Sequence, residues 1–167
     1  TQRMAIEADP SYYDPTPTAG GAGLEAARAM AILSYRSYAA FDLTQTHPSP
    51  LDTQQYKAES YQRHQGKKLR QRFNAHSYAT LTRAMDSHHL GRHRGDGSVN
   101  KVLASIDIPA LVIGLDTDIL FPVSEQQLLV ECLPKGQFAV ITSQFGHDGF
   151  LVETETIGPL VRAFLNA

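Results

Sequence analysis

Apolar residues recur at three-and-four spacing along Leu24, Ala27, Met30, Ala31 and Ser34 or Tyr35, which predicts a helix over Leu24–Ser37. Before it, residues 1–8 read as the end of a helix stopped at Asp9-Pro10, because the residue before a proline disfavours helix. Residues 11–21, with Pro15, Pro17, Gly20 and Gly21, read as a loop. A short helix over Tyr38–Leu43 ends at Thr46-His47-Pro48-Ser49-Pro50. Residues 52–73 read as one long polar helix, with Gly66 a weak point costing about 1 kcal/mol relative to alanine. Asn74 then caps a helix over 75–87 whose face is Tyr78, Leu81 and Met85. Residues 88–97 are a loop, and Ser98 caps a short helix through Ser105.

From Pro109 the texture changes. Ala110-Leu111-Val112-Ile113-Gly114 is a continuous apolar run, as expected of a strand buried on both faces. A helix over Glu125–Cys132, a strand over Phe138–Ile141 and an amphipathic helix over Thr154–Leu165 follow. The fold class is therefore α/β, with two parallel strands late in a chain that is otherwise nearly all helix. Two parallel strands do not make a stable sheet alone. The remaining strands are expected from an N-terminal half that precedes these residues. The abrupt opening Thr1-Gln2-Arg3-Met4-Ala5-Ile6, which reads as mid-helix, agrees. The 167-residue piece alone is expected to be insoluble or partly folded.

Candidate chemistry lies at the two strand ends. An open parallel sheet places its ligand crevice there. The first strand runs into Leu115-Asp116-Thr117-Asp118, and the second is followed by Gly146-His147-Asp148-Gly149. An acid after one strand and a histidine after the next is the back half of a Ser-His-Asp relay on an α/β-hydrolase sheet. Asp116 and Asp118 compete for the acid; Pro122, four residues past Asp118, favours Asp118. The bland alternative is that both aspartates cap the next helix. His147 is expected to act as general base and then general acid. The serine elbow that would complete the relay is expected in the absent half, so the piece alone is expected to be inactive.

Composition changes the picture little. The chain is 42% hydrophobic with a formal charge of -2, which gives no electrostatic reason to expect nucleic acid or an anionic membrane as partner. No apolar run approaches a membrane span, and no signal peptide opens the chain. Cys132 is alone, which fits a cytoplasmic protein. His89 and His93 could share a metal only if helical; among glycines and arginines they read as a solvated loop, so no metal is expected. Arg94-Gly95-Asp96 matches an adhesion tripeptide by chance. Lys67, Lys68, Arg70 and Arg72 read equally as a solvated helix face or as a contact for a CoA phosphate. Arg28, beside Leu24, Ala27 and Ala31, would be costly to bury without an anion; a surface salt bridge explains it as well.

Several short strings occur in order along the chain. They are Gln2-Arg3-Met4-Ala5-Ile6 with Ala8-Asp9-Pro10, and Gly23-Leu24-Glu25-Ala26-Ala27-Arg28. Glu59-Ser60-Tyr61 with Gln65-Gly66-Lys67, Arg72-Phe73-Asn74-Ala75-His76-Ser77-Tyr78 and Leu81-Thr82-Arg83-Ala84-Met85-Asp86 follow, and Gly146-His147-Asp148-Gly149-Phe150-Leu151 closes the series. In these the chain resembles the C-terminal half of the homoserine O-acetyltransferases, α/β-hydrolase-fold enzymes of methionine biosynthesis. The resemblance implies acyl transfer from acetyl-CoA, a co-substrate, to the hydroxyl of L-homoserine through an acyl-serine, with no other cofactor. It implies that Asp118 and His147 are acid and base, that Arg28 holds the acceptor's carboxylate and that Asp148 holds its ammonium. It divides the chain into 1–21, the end of a core helix and a loop; 22–97, a helical lid that joins a homodimer; and 98–167, the C-terminal part of the core. Relatives that use succinyl-CoA, serine or another hydroxyl acceptor, a plain esterase of this fold, and an inactive lid module remain as alternatives. The chain departs from the family at His64-Gln65-Gly66, in a short segment 44–53, and at Gly149, where alanine is more usual.

Overall fold

The computed structural model describes residues 1–46 and 56–167. The break read at Thr46–Pro50, most of the short segment 44–53 and the first residues of the long polar helix fall largely outside them. The chain forms two compact units, one of Thr1–Ser34 with Phe41–His88, the other of Tyr35–Ala40 with His89–Ala167.

The first unit is helical. Helix α1 spans Gln2–Glu7, α2 Gly21–Tyr35, α3 Tyr38–Gln45, α4 Lys57–Arg70 and α5 Ala75–Asp86, the last residue of α2 and the start of α3 belonging to the second unit. Its core is Ile6, Tyr12, Leu24, Ala27, Leu69 and Ala75, with Phe73 and Tyr78 packed against it. Helix α2 begins at Gly21, earlier than its apolar spacing indicates, because Asp9 serves its first turn. The Asp9 carboxylate accepts from the Gly23 N–H at 2.8 Å, the Ser11 N–H at 2.9 Å and the Ser11 hydroxyl at 2.8 Å. A negative group at a helix N-terminus satisfies an orphan donor and the helix dipole together. The Gly23 N–H first, then the Ser11 hydroxyl, pull the Asp9 carboxyl below its ordinary value of 3.8, against the opposing effect of burial.

Two expectations for this unit need correction. Gly66 is not a weak point of α4 but its contact: a Cβ there would lie 2.8 Å from the Glu25 carbonyl oxygen, where α4 crosses α2. The α5 face is Ala75, Tyr78 and Ala79, while Leu81 and Met85 are exposed. The small residues win because they let α5 approach α1, an approach stitched by Arg83 to Glu7 at 2.6 Å and by Tyr78 to Gln2. Asn74 caps α5 as expected, its side chain accepting from the Ser77 N–H at 2.7 Å.

The second unit holds α6 (Val99–Ala104), β1 (Ala110–Leu115), α7 (Val123–Glu131), β2 (Gly136–Ile141), α8 (Gly149–Val152) and α9 (Thr154–Leu165). The strands are parallel, with Ala110 opposite Gly136 and Leu115 opposite Ile141, and α7 makes the crossover against both. This is the α/β arrangement that the apolar runs indicate. The expectation of a strand covered on both faces is not met: in the two strands only Gly114, Leu115 and Ile141, at the C-terminal ends, are buried, and Val140 is half exposed. No described helix is long and apolar enough to cross a membrane.

The ligation of Asp9 sets a pH dependence. Its folded-state value lies below its unfolded one, so the stabilisation is present above about pH 4 and fades as pH falls through the folded value. Asp9→Asn is expected to lower stability by about 1 kcal/mol near neutral pH, with the gap to the parent closing as thermal melts are taken to pH below 4. Gly66→Ala, normally favourable in a helix, is expected to destabilise by about 1–3 kcal/mol in the same melts, because the methyl meets backbone.

Candidate active site

Both loops that leave the C-terminal strand ends are tied to each other before they reach the candidate chemistry. The Asp116 N–H continues the ladder to the Ile141 carbonyl at 3.1 Å. The Asp116 carboxylate accepts from the Ser143 N–H at 2.9 Å. The Thr117 hydroxyl donates to the Ser143 carbonyl at 2.5 Å and accepts from the Gly146 N–H at 3.0 Å. Asp116 and Thr117 thus clasp the loop that carries His147.

Asp118 and His147 meet. The Asp118 carboxylate is buried, and one of its oxygens, Oδ1, accepts from the backbone N–H groups of Leu120 at 2.8 Å and Phe121 at 3.0 Å. The other, Oδ2, lies 2.9 Å from His147 Nδ1. The competition between the two aspartates has a geometric answer: Asp118 faces the imidazole and Asp116 faces the backbone of the neighbouring loop. The helix-capping alternative is not met: Oδ1 serves the turn at Leu120 and Phe121, before α7, and the helix starts after Pro122 without a side-chain cap. With Nδ1–H donated to the carboxylate, the lone pair of the ring sits on Nε2, the atom able to take a proton.

Aromatic rings surround the imidazole. Those of Phe121 and Phe150 are centred 5.3 Å away and that of Tyr35 5.6 Å away. Phe150 follows His147 by one helical turn, a spacing legible in the sequence; Tyr35 is brought in by the fold. Gly146 takes φ +65°, a left-handed conformation that suits glycine, and a Cβ on it would lie 2.6 Å from the Ser37 nitrogen. Gly149 also has a reason: a Cβ there would lie 2.7 Å from the hydroxyl of the buried Ser143.

Asp148 stands next to His147 with its carboxylate 3.4 Å from Arg36 Nε, a partner the sequence pattern does not reveal. Arg28 lies half-buried on α2 in the first unit. Within that unit a cavity of about 370 Å³ is lined by Lys67 and Arg70 with Leu24, Phe73 and others, and contains none of the four site residues. Arg70 there is paired with Glu25 at 3.0 Å. His89 and His93 lie in turns, His93 at φ +58°, so the helical spacing that a shared metal would use is not formed. Asp96 of the Arg-Gly-Asp string is paired with Lys101 at 2.9 Å.

No family model matches the chain. Comparison with known proteins finds a homoserine O-acetyltransferase of Cyclobacterium marinum, 44% identical over 98% of this chain and 46% of the relative. Another from Chloroherpeton thalassium is 44% identical over 98% of this chain and 43% of the relative. The chain thus spans about half the length of the relatives it matches. Among solved structures, a homoserine O-acetyltransferase from Bacillus anthracis superposes with a TM-score of 0.85 at 19% identity, over 99% of this chain and 47% of that one. Esterase E22 superposes with a TM-score of 0.80 at 18% identity, over 98% of this chain and 48% of that one. These two likenesses show the fold, the C-terminal part of an α/β-hydrolase. On sequence, the chain is similar to the homoserine O-acetyltransferases over the half of those proteins that it spans.

Proposed function

We propose that this chain supplies the acid and the base of an acyl-transfer relay that moves an acetyl group from acetyl-CoA to the hydroxyl of L-homoserine. The observation that carries the reading is the 2.9 Å contact between Asp118 Oδ2 and His147 Nδ1, with Oδ1 locked by two backbone N–H groups. A carboxylate held in this way fixes the imidazole tautomer and stabilises its cation.

The nucleophile of the reading is a serine in polypeptide outside these 167 residues. Its hydroxyl gives its proton to His147 Nε2 and attacks the thioester carbonyl. The C–S bond breaks, and the thiolate of CoA leaves with that proton. The hydroxyl of homoserine then gives its proton to Nε2, attacks the acyl-serine, and returns the serine oxygen its proton through His147. Acetyl-CoA is a co-substrate, and no resident metal or cofactor takes part. Asp148 takes the acceptor's ammonium and Arg28 its carboxylate, by a two-pronged contact. The three aromatic rings beside His147 support the reading, since apolar surface at the imidazole disfavours water relative to a bound alcohol as the attacking group. A homodimer joined through the helices of 22–97 and a cytoplasmic location belong to the same reading and rest on the resemblance. So does the choice of acetyl over succinyl, and of homoserine over serine.

Hydrolysis of simple esters is the second reading, favoured by the likeness in fold to esterase E22. It gives no purpose to a charged pair beside the histidine. Steady-state assays on the full-length protein with acetyl-CoA, with and without L-homoserine, separate the two. Acceptor-dependent release of CoA together with O-acetylhomoserine supports transfer; release that ignores homoserine supports hydrolysis.

Within those assays, Asp118→Asn is expected to cost about 10⁴-fold in kcat, and His147→Ala at least as much, with both variants folded by circular dichroism. Thr117→Val removes the donor and the acceptor of the clasp together. It is expected to lower kcat while leaving the acceptor KM near that of the parent, to speed amide exchange at Gly146, and to be rescued by Thr117→Ser.

A further inference from the structure

The reading above places Asp148 on the acceptor's ammonium, yet Asp148 already faces a cation. Arg36 Nε lies 3.4 Å from Asp148 Oδ2, the two side chains being 25% and 32% exposed. The segment that carries Arg36 is built onto the histidine loop. Gly146 packs against the backbone at Arg36 and Ser37, at a distance only glycine allows. The Ser37 hydroxyl donates to the Gln144 carbonyl, and the Tyr35 ring stands 5.6 Å from that of His147. All of these residues belong to one compact unit.

We propose, resting on the acyl-transfer reading, that Arg36 is a specificity-determining residue for the acceptor. With Asp148 it forms an ion pair that a zwitterionic α-amino acid opens, its ammonium going to Asp148 and its carboxylate to Arg36. The physical case is one of exchange. At 3.4 Å and in partial contact with solvent, this ion pair is weak, so opening it costs little. A zwitterion brings both complementary charges, and charge-assisted contacts to two partners replace the one that is lost. A simple alcohol brings neither charge, and an amino alcohol brings only one, so neither offers both charges in exchange for the pair. The pair therefore discriminates by the charge pattern of the acceptor and not by its hydroxyl. In this arrangement Arg36 adds a guanidinium from the histidine loop's own unit to the one that the family resemblance assigns to Arg28.

The test uses the full-length protein with two acceptors, L-homoserine and 3-aminopropan-1-ol, which has the hydroxyl and the amine without the carboxylate. Acetyl-CoA is the donor, and p-nitrophenyl acetate hydrolysis reports the relay independently of any acceptor. For Arg36→Met, kcat/KM for L-homoserine is expected to fall about 10-fold or more relative to that for 3-aminopropan-1-ol. The rate with p-nitrophenyl acetate and the KM for acetyl-CoA stay at parent values. Arg36→Lys, which keeps the charge, is expected to recover part of the preference, and it carries the test if the methionine variant does not fold. An unchanged ratio between the two acceptors, or an equal loss with both acceptors and with the ester, overturns the role of Arg36. A parent enzyme that acylates neither acceptor overturns the acyl-transfer reading itself, and the inference with it.

Discussion

The contact between Asp118 and His147 depends on two loops holding a common register. Each loop leaves a different strand, and nothing local to either one sets the distance between them. Asp116 and Thr117 do so by pairing with Ser143 and Gly146, which extends the ladder of β1 and β2 beyond the strands with side-chain atoms in place of backbone. A buried carboxylate whose oxygens are all engaged has little freedom to turn away. Asp118 is in that condition, with backbone donors on one oxygen and the imidazole on the other.

The first unit rests on a different constraint, the close approach of helices. Its core is built from few large side chains, Ile6 and Leu24 above all, and from alanines. Small residues at crossings let backbones come together, and the buried area then comes from contact along the helices and not from long side chains. The same choice leaves Leu81 and Met85 outside, although their spacing is that of a packing face. Asp9 contributes where apolar packing cannot, at a buried backbone donor of the first turn of α2 that has no partner within the helix.

The second unit carries apolar residues that its own elements do not cover. Val140 on β2, Phe150, Leu151 and Val152 at and after the histidine loop, and Leu165 on α9 are all half exposed or more. A strand pattern with apolar residues on successive positions is suited to cover on both faces, and here the described residues supply α7 against the pair of strands. The chain spans about half the length of its relatives, and the proposed reaction takes its nucleophile from outside these residues.

Local signals determined much of this protein without reference to the fold. Apolar spacing and runs, with caps and helix breakers, located nearly every described helix and both strands, because such signals follow from residues within a few positions of each other. The side-chain caps of Asn74 and Ser98 and the stop at Asp9-Pro10 are local for the same reason. The acid and the histidine were legible as a pair of strand-end residues, and Pro122 favoured Asp118 over Asp116, but the spacing could not show that the Asp118 side chain meets the imidazole while that of Asp116 turns to the neighbouring loop. That contact fell to the tertiary structure, as did the clasp through Thr117, the seat of Gly66 against Glu25, and the pairing of Arg36 with a residue 112 positions away. Each of these is a contact between segments distant in the chain, and no pattern within one segment encodes the distance to another.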